Sequence, residues 1–234
     1  MKSLTYTPLE RLSVRRPVGR TQFVTERCQG RTVLDLGCRD ETALVKCDTP
    51  HWLHGEIIKV AKQTIGVDIS QDVPAEGMVT GPSSRILRGD VTRLEEVVGG
   101  LACDVIVAGE LIEHLPDPLA FLRQLRRLYP GRELLLTTPN ATSLSNTLLA
   151  LASRESNHLD HLAIFSVKTL NTLCLRAGFQ EWEILPYHVY FTEMIFRMTG
   201  PSRWLVRGAE RMVNWGEWMF PMLSGGLILH VRSI

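Results

Sequence analysis

Four apolar runs, each closing on an acidic residue, limit what this chain can fold into. Thr32-Val33-Leu34-Asp35-Leu36-Gly37 is β-branched and apolar, and it ends in an acid and a glycine. Thr64-Ile65-Gly66-Val67-Asp68 repeats the pattern. Ser84 to Leu87 leads to Gly89-Asp90, and Asp104-Val105-Ile106-Val107-Ala108 leads to Glu110. Runs this apolar belong to strands covered on both faces. Helical patterns lie between and after them. His51 to Lys62 has apolar residues at 53, 57, 58, 60 and 61. Pro118 to Tyr129 has them at 119, 122, 125 and 128 and is stopped by Pro130-Gly131. Glu133 to Thr138 reads as a fifth strand, and Ala141 to Ser153 as a helix. Ser166 to Ala177 reads as a helix with Ser166 as N-cap and Gly178 as its stop. Phe179 to Leu185 and Gly226 to Arg232 read as the last two strands. The alternation predicts an α/β fold, a parallel sheet with helices on both faces. Residues 1–30 read as a helical, basic lead-in, and 31–234 as one domain.

The balance of charge removes several function classes. The chain has 234 residues, 26 basic and 25 acidic side chains and a formal net charge of +1. No global field draws it onto a polyanion, so no nucleic acid is expected as partner. The 5 cysteines form no Cys-x-x-Cys pair, which fits a reducing cytoplasm better than a disulfide framework. The N-terminal stretch lacks the apolar core of a signal peptide, and no apolar run reaches about 18 residues, so a cytoplasmic protein is expected. Cys38, Cys47, His51 and His54 fit no standard zinc-finger spacing.

In such a sheet, ligands bind beyond the carboxyl ends of the strands, where the strand order reverses. Asp35, Asp68, Asp90 and Glu110 all fall there. Carboxylates at these places can accept charge-assisted hydrogen bonds from an amine, a ribose diol and an exocyclic amino group. Val33-Leu34-Asp35-Leu36-Gly37-Cys38 then resembles motif I of the class I S-adenosylmethionine-dependent methyltransferases. Ile65-Gly66-Val67-Asp68-Ile69-Ser70 resembles their ribose-binding strand end, and Arg88-Gly89-Asp90-Val91 their adenine-binding segment. The stretch from Ala108 through Gly109, Glu110, Glu113 and His114 to Pro118 resembles the fourth-strand motif of one small-molecule branch. That branch holds ubiquinone-biosynthesis O-methyltransferases and polysaccharide-cluster methyltransferases. Leu135 to Asn140, Asp160-His161, Phe165-Ser166 and Leu175 to Phe179 match it too.

The resemblance implies a Rossmann-like, seven-stranded, mostly parallel sheet whose last strand runs antiparallel. It implies S-adenosylmethionine as cofactor, held by Asp35, Gly37, Cys38, Asp68, Ile69, Asp90, Val91, Gly109 and Glu110. The family loop usually continues Gly-x-Gly after the cysteine. Here those positions are Arg39 and Glu41, so the loop takes a different path to its ligand. Trp52-Leu53-His54-Gly55-Glu56 resembles a subgroup with this longer loop.

Catalysis is expected from His161, with His114 as the other candidate base, because imidazole titrates near neutrality. Glu110, Glu113 and His114 share one face of a helical turn. In the ubiquinone-type enzymes the matching triplet resembles a magnesium site, whereas the plainer reading has no metal, Glu110 on the cofactor and His114 packing the turn. Residues 190–223, rich in Met, Trp and Phe, read as a helical insertion or lid. The same segment fits a dimer face or, with Arg197, Arg203, Arg207 and Arg211, a peripheral contact with membrane or lipid-linked substrate.

The function so read is methyl transfer to a small-molecule acceptor, a hydroxyl of a sugar, glycan precursor or secondary metabolite. Two alternatives stay open: a cofactor-binding partner protein with little activity, and a ribose 2′-O RNA methyltransferase. A dinucleotide oxidoreductase is disfavoured, because no Gly-x-Gly-x-x-Gly follows the first strand. The Asn/Asp-Pro-Pro-aromatic motif of amino-methylating enzymes is replaced by Gly109-Glu110-Leu111-Ile112.

Overall fold

A computed structural model describes residues 9–39, 49–188 and 190–234. One mixed sheet of 8 strands runs through it in the order β3-β4-β2-β1-β5-β6-β8-β7. The strands are β1 (Thr32–Leu36), β2 (Gln63–Asp68), β3 (Met78–Gly81), β4 (Ser84–Arg88), β5 (Val105–Gly109), β6 (Glu133–Pro139), β7 (Trp182–Tyr187) and β8 (Gly226–Val231). Neighbours from β4 to β6 pair in parallel, while β8 lies antiparallel between β6 and β7. The sheet is thus Rossmann-like and mostly parallel, with the last strand reversed.

It has one strand more than expected. The added β3 is an antiparallel edge strand turned back on β4. Its 4 residues are half-buried or exposed and include a glycine, so neither an apolar run nor an alternation marks them. The strand expected from Phe179 begins at Trp182 instead. Phe179 is spent on closing the preceding helix: its N–H donates to the Cys174 carbonyl at 3.1 Å, behind Gly178 at φ +83. Pro186 is tolerated in β7 because that strand is the sheet edge.

Alternate residues of the central strands face two helical layers. Leu34, Leu36, Ile106, Ala108, Leu134 and Leu136 pack under α4 (Pro118–Leu128) and α6 (Val167–Ala177). Val33, Val105, Val107 and Leu135 pack under α1 (Arg20–Cys28) and α2 (Leu53–Val60). Short α3 (Leu94–Val98) joins the first layer through Leu94. Helix α4 starts where the sequence says it should: Asp117 accepts from the Ala120 N–H at 2.9 Å, and Pro118 takes the first turn. Of the lead-in, α1 is the helical part among described residues. Ahead of it Val18 bridges the edge strand at Tyr187, and Pro17 and Gly19 keep that stretch extended. After β6 come α5 (Leu144–Leu151) and, between β7 and β8, α7 (Thr192–Arg197) and α8 (Pro201–Met219). Among the described residues no helix is long and apolar enough to cross a membrane.

Candidate active site

The strand order reverses between β1 and β5, so the loops after these two strands open the crevice that such sheets use for ligands. Gly37 follows β1 with φ +69, and its N–H donates to the Val67 carbonyl at 2.9 Å. A Cβ there would sit 2.8 Å from Leu111 Cδ1 of the loop after β5. The two loops therefore approach closely only because residue 37 has neither side chain nor aversion to positive φ.

Beyond Gly37 the loop is held from below rather than by further glycines. The Cys38 carbonyl accepts from the Trp52 indole N–H at 2.9 Å. Trp52 can reach it because Gly55, one turn on, leaves room: a Cβ there would meet the ring at 2.7 Å. The Arg39 N–H donates to Asp68 Oδ2 at 2.7 Å, and the Ser70 N–H to Asp68 Oδ1 at 2.8 Å. Burial pushes the Asp68 carboxyl above its ordinary value, against these two bonds. Glu41 and Cys47 lie outside the described residues.

The remaining cofactor candidates fall into different settings. Asp35 is buried, and its Oδ2 meets His54 Nδ1 at 2.8 Å. His54 Nε2 meets Thr80 Oγ1 at 3.1 Å and Ser84 Oγ at 3.3 Å, which pins α2 to β1, β3 and β4. Cys38 Sγ belongs to the same enclosed group, and burial, then the Asp35 charge, raises its thiol well above the ordinary range. Asp90 accepts from both the backbone N–H and the hydroxyl of Thr92 at 2.8 Å, so it caps a turn. Ile69 is exposed after β2, whereas Val91 is buried in the core. Gly109 ends β5 against Leu53 of α2.

Glu110 adopts φ +53, a conformation that costs a non-glycine residue about 1–3 kcal/mol. It is held there by its N–H donating to the Thr137 carbonyl at 3.0 Å. Its Oε1 accepts from the Tyr187 hydroxyl at 2.6 Å and from Thr137 Oγ1 at 3.1 Å, with Arg20 Nη1 at 4.0 Å. Gly226 makes the Tyr187 contact feasible, since a Cβ there would lie 2.0 Å from the ring. Burial and the Glu110 charge hold the Tyr187 phenol well above its usual range, so it stays a donor.

The turn after Glu110 carries Glu113 and His114. Glu113 is fully buried, and its Oε2 accepts from Thr138 Oγ1 at 3.0 Å. Its Oε1 has no hydrogen-bond partner among the described residues. Burial, then the nearby Glu110 charge, raises its carboxyl to about 8. The Glu113 carbonyl accepts from the Leu162 and Ala163 N–H groups at 2.8 and 3.1 Å, which brings the loop after α5 to this turn. His161 is thereby set edge-on to His114, with ring centroids 4.7 Å apart and His158 beside both. Burial and the neighbouring His114 lower the His161 pKa, and its buried Nδ1 has no partner among the described residues. One ligand atom each from Glu113, His114 and His161 lie within 4.8 Å of one another. Of the triplet likened to a magnesium site, for which the plainer reading has no metal, Glu110 is drawn to Tyr187 and Thr137, while His161 lies beside Glu113 and His114.

A family profile described as a methyltransferase domain matches residues 11–184. The chain belongs to the methyltransferase-domain family. A protein of Mycolicibacterium smegmatis named "Probable S-adenosylmethionine-dependent methyltransferase/" is 30% identical over 125 residues, which are 53% of this chain and 44% of that protein. A Mycobacterium tuberculosis relative is 29% identical over 127 residues, 53% of this chain and 41% of its own length. This methyltransferase domain thus spans less than half the length of the curated relatives it matches. Among solved structures, a Thermotoga maritima SAM-dependent methyltransferase has a TM-score of 0.54 at 14% identity, over 91% of this chain and 86% of its own. The small RNA methyltransferase HEN1 has a TM-score of 0.56 at 15% identity, over 97% of this chain and 27% of its own. Identities this low establish the shared fold alone.

Residues that the sequence left without a role sit close to the chemistry of the methyltransferase domain. His54, Trp52, Tyr187 and Arg20 all support the two loops at the order reversal. The Trp52-to-Glu56 pattern held the only local signal for the first two. Tyr187 and Arg20 arrive from distant elements, and no spacing announces them.

Proposed function

We propose that the domain transfers a methyl group from S-adenosylmethionine to a hydroxyl of a small molecule, with His161 taking the acceptor's proton. The reading rests on one observation: the loops carrying Gly37, Asp68, Asp90 and Glu110 gather at the reversal of strand order, with a partnerless His161 nitrogen beside them. The names of the relatives agree with it. Gly37 lets the loop after β1 lie against Leu111 of the loop after β5, and each Asp68 oxygen, taken by one N–H, keeps a lone pair for a ribose hydroxyl. Ile69 offers an exposed apolar surface for a base, with Asp90 nearby in sequence for its amino group.

When bound, S-adenosylmethionine supplies an activated methyl on sulfur, displaced in line by the acceptor oxygen. The protein's share is alignment and proton removal. His161 Nδ1 accepts that proton, and His114 at its edge positions the ring. Sugars, glycan precursors and secondary metabolites are the acceptor classes this arrangement serves. The stretch from Tyr190 to Phe196, which reaches His51 with ring centroids 6.5 and 5.9 Å away, closes over the loop side as the lid. The lid contact expected of 190–223 does not come from Trp204 and Trp215, which face outward.

A second reading is favoured by the orphaned Glu113 Oε1 and His161 Nδ1. Glu113, His114 and His161 would hold a divalent cation, which would polarise the acceptor hydroxyl in place of a base. Calorimetry with S-adenosylmethionine tests the main reading: binding is expected, and a silent titration sinks it. Assay in chelator separates base from cation.

A further inference from the structure

Helix α8 wears its apolar side outward. At 3.6 residues per turn, Trp204, Leu205, Gly208, Met212, Trp215 and Met219 fall within an arc of about 100°. The buried residues of the helix, Val206 and Glu217, lie on the opposite side. Trp204 is 73% exposed, Leu205 76%, Met212 75% and Trp215 64%. A surface helix normally turns such a stripe into the protein. Along one flank run Arg203, Arg207 and Arg211, one turn apart and all exposed. Arg207 sets its guanidinium carbon 5.9 Å from the centroid of Trp204. The acids of the helix point elsewhere: Glu217 is buried against His188 at 3.0 Å, and Glu210 accepts from the Phe191 N–H at 2.7 Å. The outward face is therefore apolar, edged by Arg211, with Arg207 and Arg203 exposed and turning progressively down its flank. Further exposed apolar side chains stand on α5, at Leu148 and Leu151, and on either side of His161, at Leu159 and Leu162. Gly216 against Leu144 joins α8 to α5.

We propose that this face docks on an anionic lipid bilayer, with α8 lying flat in the interface. Trp, Leu and Met on one face with arginine beside them is the make-up of an interfacial helix. Indole rings settle at headgroup depth, and each arginine gains from the negative surface potential. A second copy of the chain complements this face less well. Paired antiparallel through the stripe, two copies would set their arginine rows on the same side, with no acidic row in exchange. The docking goes beyond the methyl-transfer reading and holds or fails without any cofactor.

The test is co-sedimentation of the intact chain with phosphatidylcholine vesicles, alone or with about one quarter phosphatidylserine. The chain pellets with the anionic vesicles and is released by salt. Arg203→Gln/Arg207→Gln/Arg211→Gln lowers partitioning roughly a hundredfold. Trp204→Ser/Trp215→Ser lowers it about tenfold or more. All five side chains are exposed, so circular dichroism and thermal midpoint stay as in the parent. Calorimetry of S-adenosylmethionine with the same variants, without vesicles, reads the methyl-transfer site separately. Failure to pellet with anionic vesicles overturns the proposal, as does pelleting that neither variant weakens. A stable dimer in sedimentation velocity that Trp204→Ser/Trp215→Ser dissociates also overturns it and assigns the stripe to a second copy.

Discussion

Two groups of histidine and carboxylate lie at this sheet, one enclosed around His54 and one half-buried around His161, and they differ in what is left over. Around His54 both ring nitrogens are engaged, by Asp35 on one side and by Thr80 and Ser84 on the other. Around His161, one Glu113 oxygen and one imidazole nitrogen have no partner among the described residues. A buried polar atom without a bond costs on the order of 1–3 kcal/mol. Two such atoms side by side are kept where something from outside the chain uses them. Under the proposed function, the first group serves as framework for the loop after β1 and the second is the candidate for chemistry.

The largest expected effect breaks the open group. His161→Ala should lower turnover by about 10²–10⁴-fold with cofactor affinity kept, read as product formation at saturating substrate. Normal turnover, assayed beside His114→Ala, would move the base to His114 or abolish the role. Breaking the closed group should act on stability instead. His54→Ala strands the Asp35 carboxylate and should cost about 3–5 kcal/mol in urea unfolding. His54→Ala combined with Asp35→Asn should recover part of it, and a loss under about 1 kcal/mol would deny the pair its framework role. Asp68→Ala should weaken S-adenosylmethionine binding by about 2–3 kcal/mol in calorimetry. Unchanged affinity would place the ribose elsewhere. The smallest effect sharpens the comparison: under the base reading, chelator leaves turnover within about twofold. Loss in chelator with rescue by magnesium would assign the orphaned atoms to a cation.

The strands and their acidic ends were legible because a doubly covered strand needs a continuous apolar run, a purely local property. The start of α4 and both ends of α6 were legible for the same kind of reason, since Asp117, Ser166 and Gly178 act on their own backbone. Edge strand β3 escaped because four residues with mixed exposure carry no period. The Asp35–His54 pair escaped because its members come from different elements brought together by parallel pairing. Glu110 was legible as an acidic strand end, but its grip by Tyr187 depends on a residue 77 positions away in sequence. In α8 the composition pointed to a helical insertion, and only packing could say that its apolar side faces out.

The placement of β8 between β6 and β7 has a consequence for how the molecule is made. Within the sheet β7 has no neighbour except β8, so the strand bearing Tyr187 has nothing to pair with while synthesis is still short of Gly226. During that interval Glu110 lacks its phenol, and the left-handed backbone at its position lacks one of its restraints. The nascent chain can build the β4-to-β6 half as it emerges, because those strands precede the gap. The Tyr187 side of the sheet closes only when β8 lies down between β6 and β7.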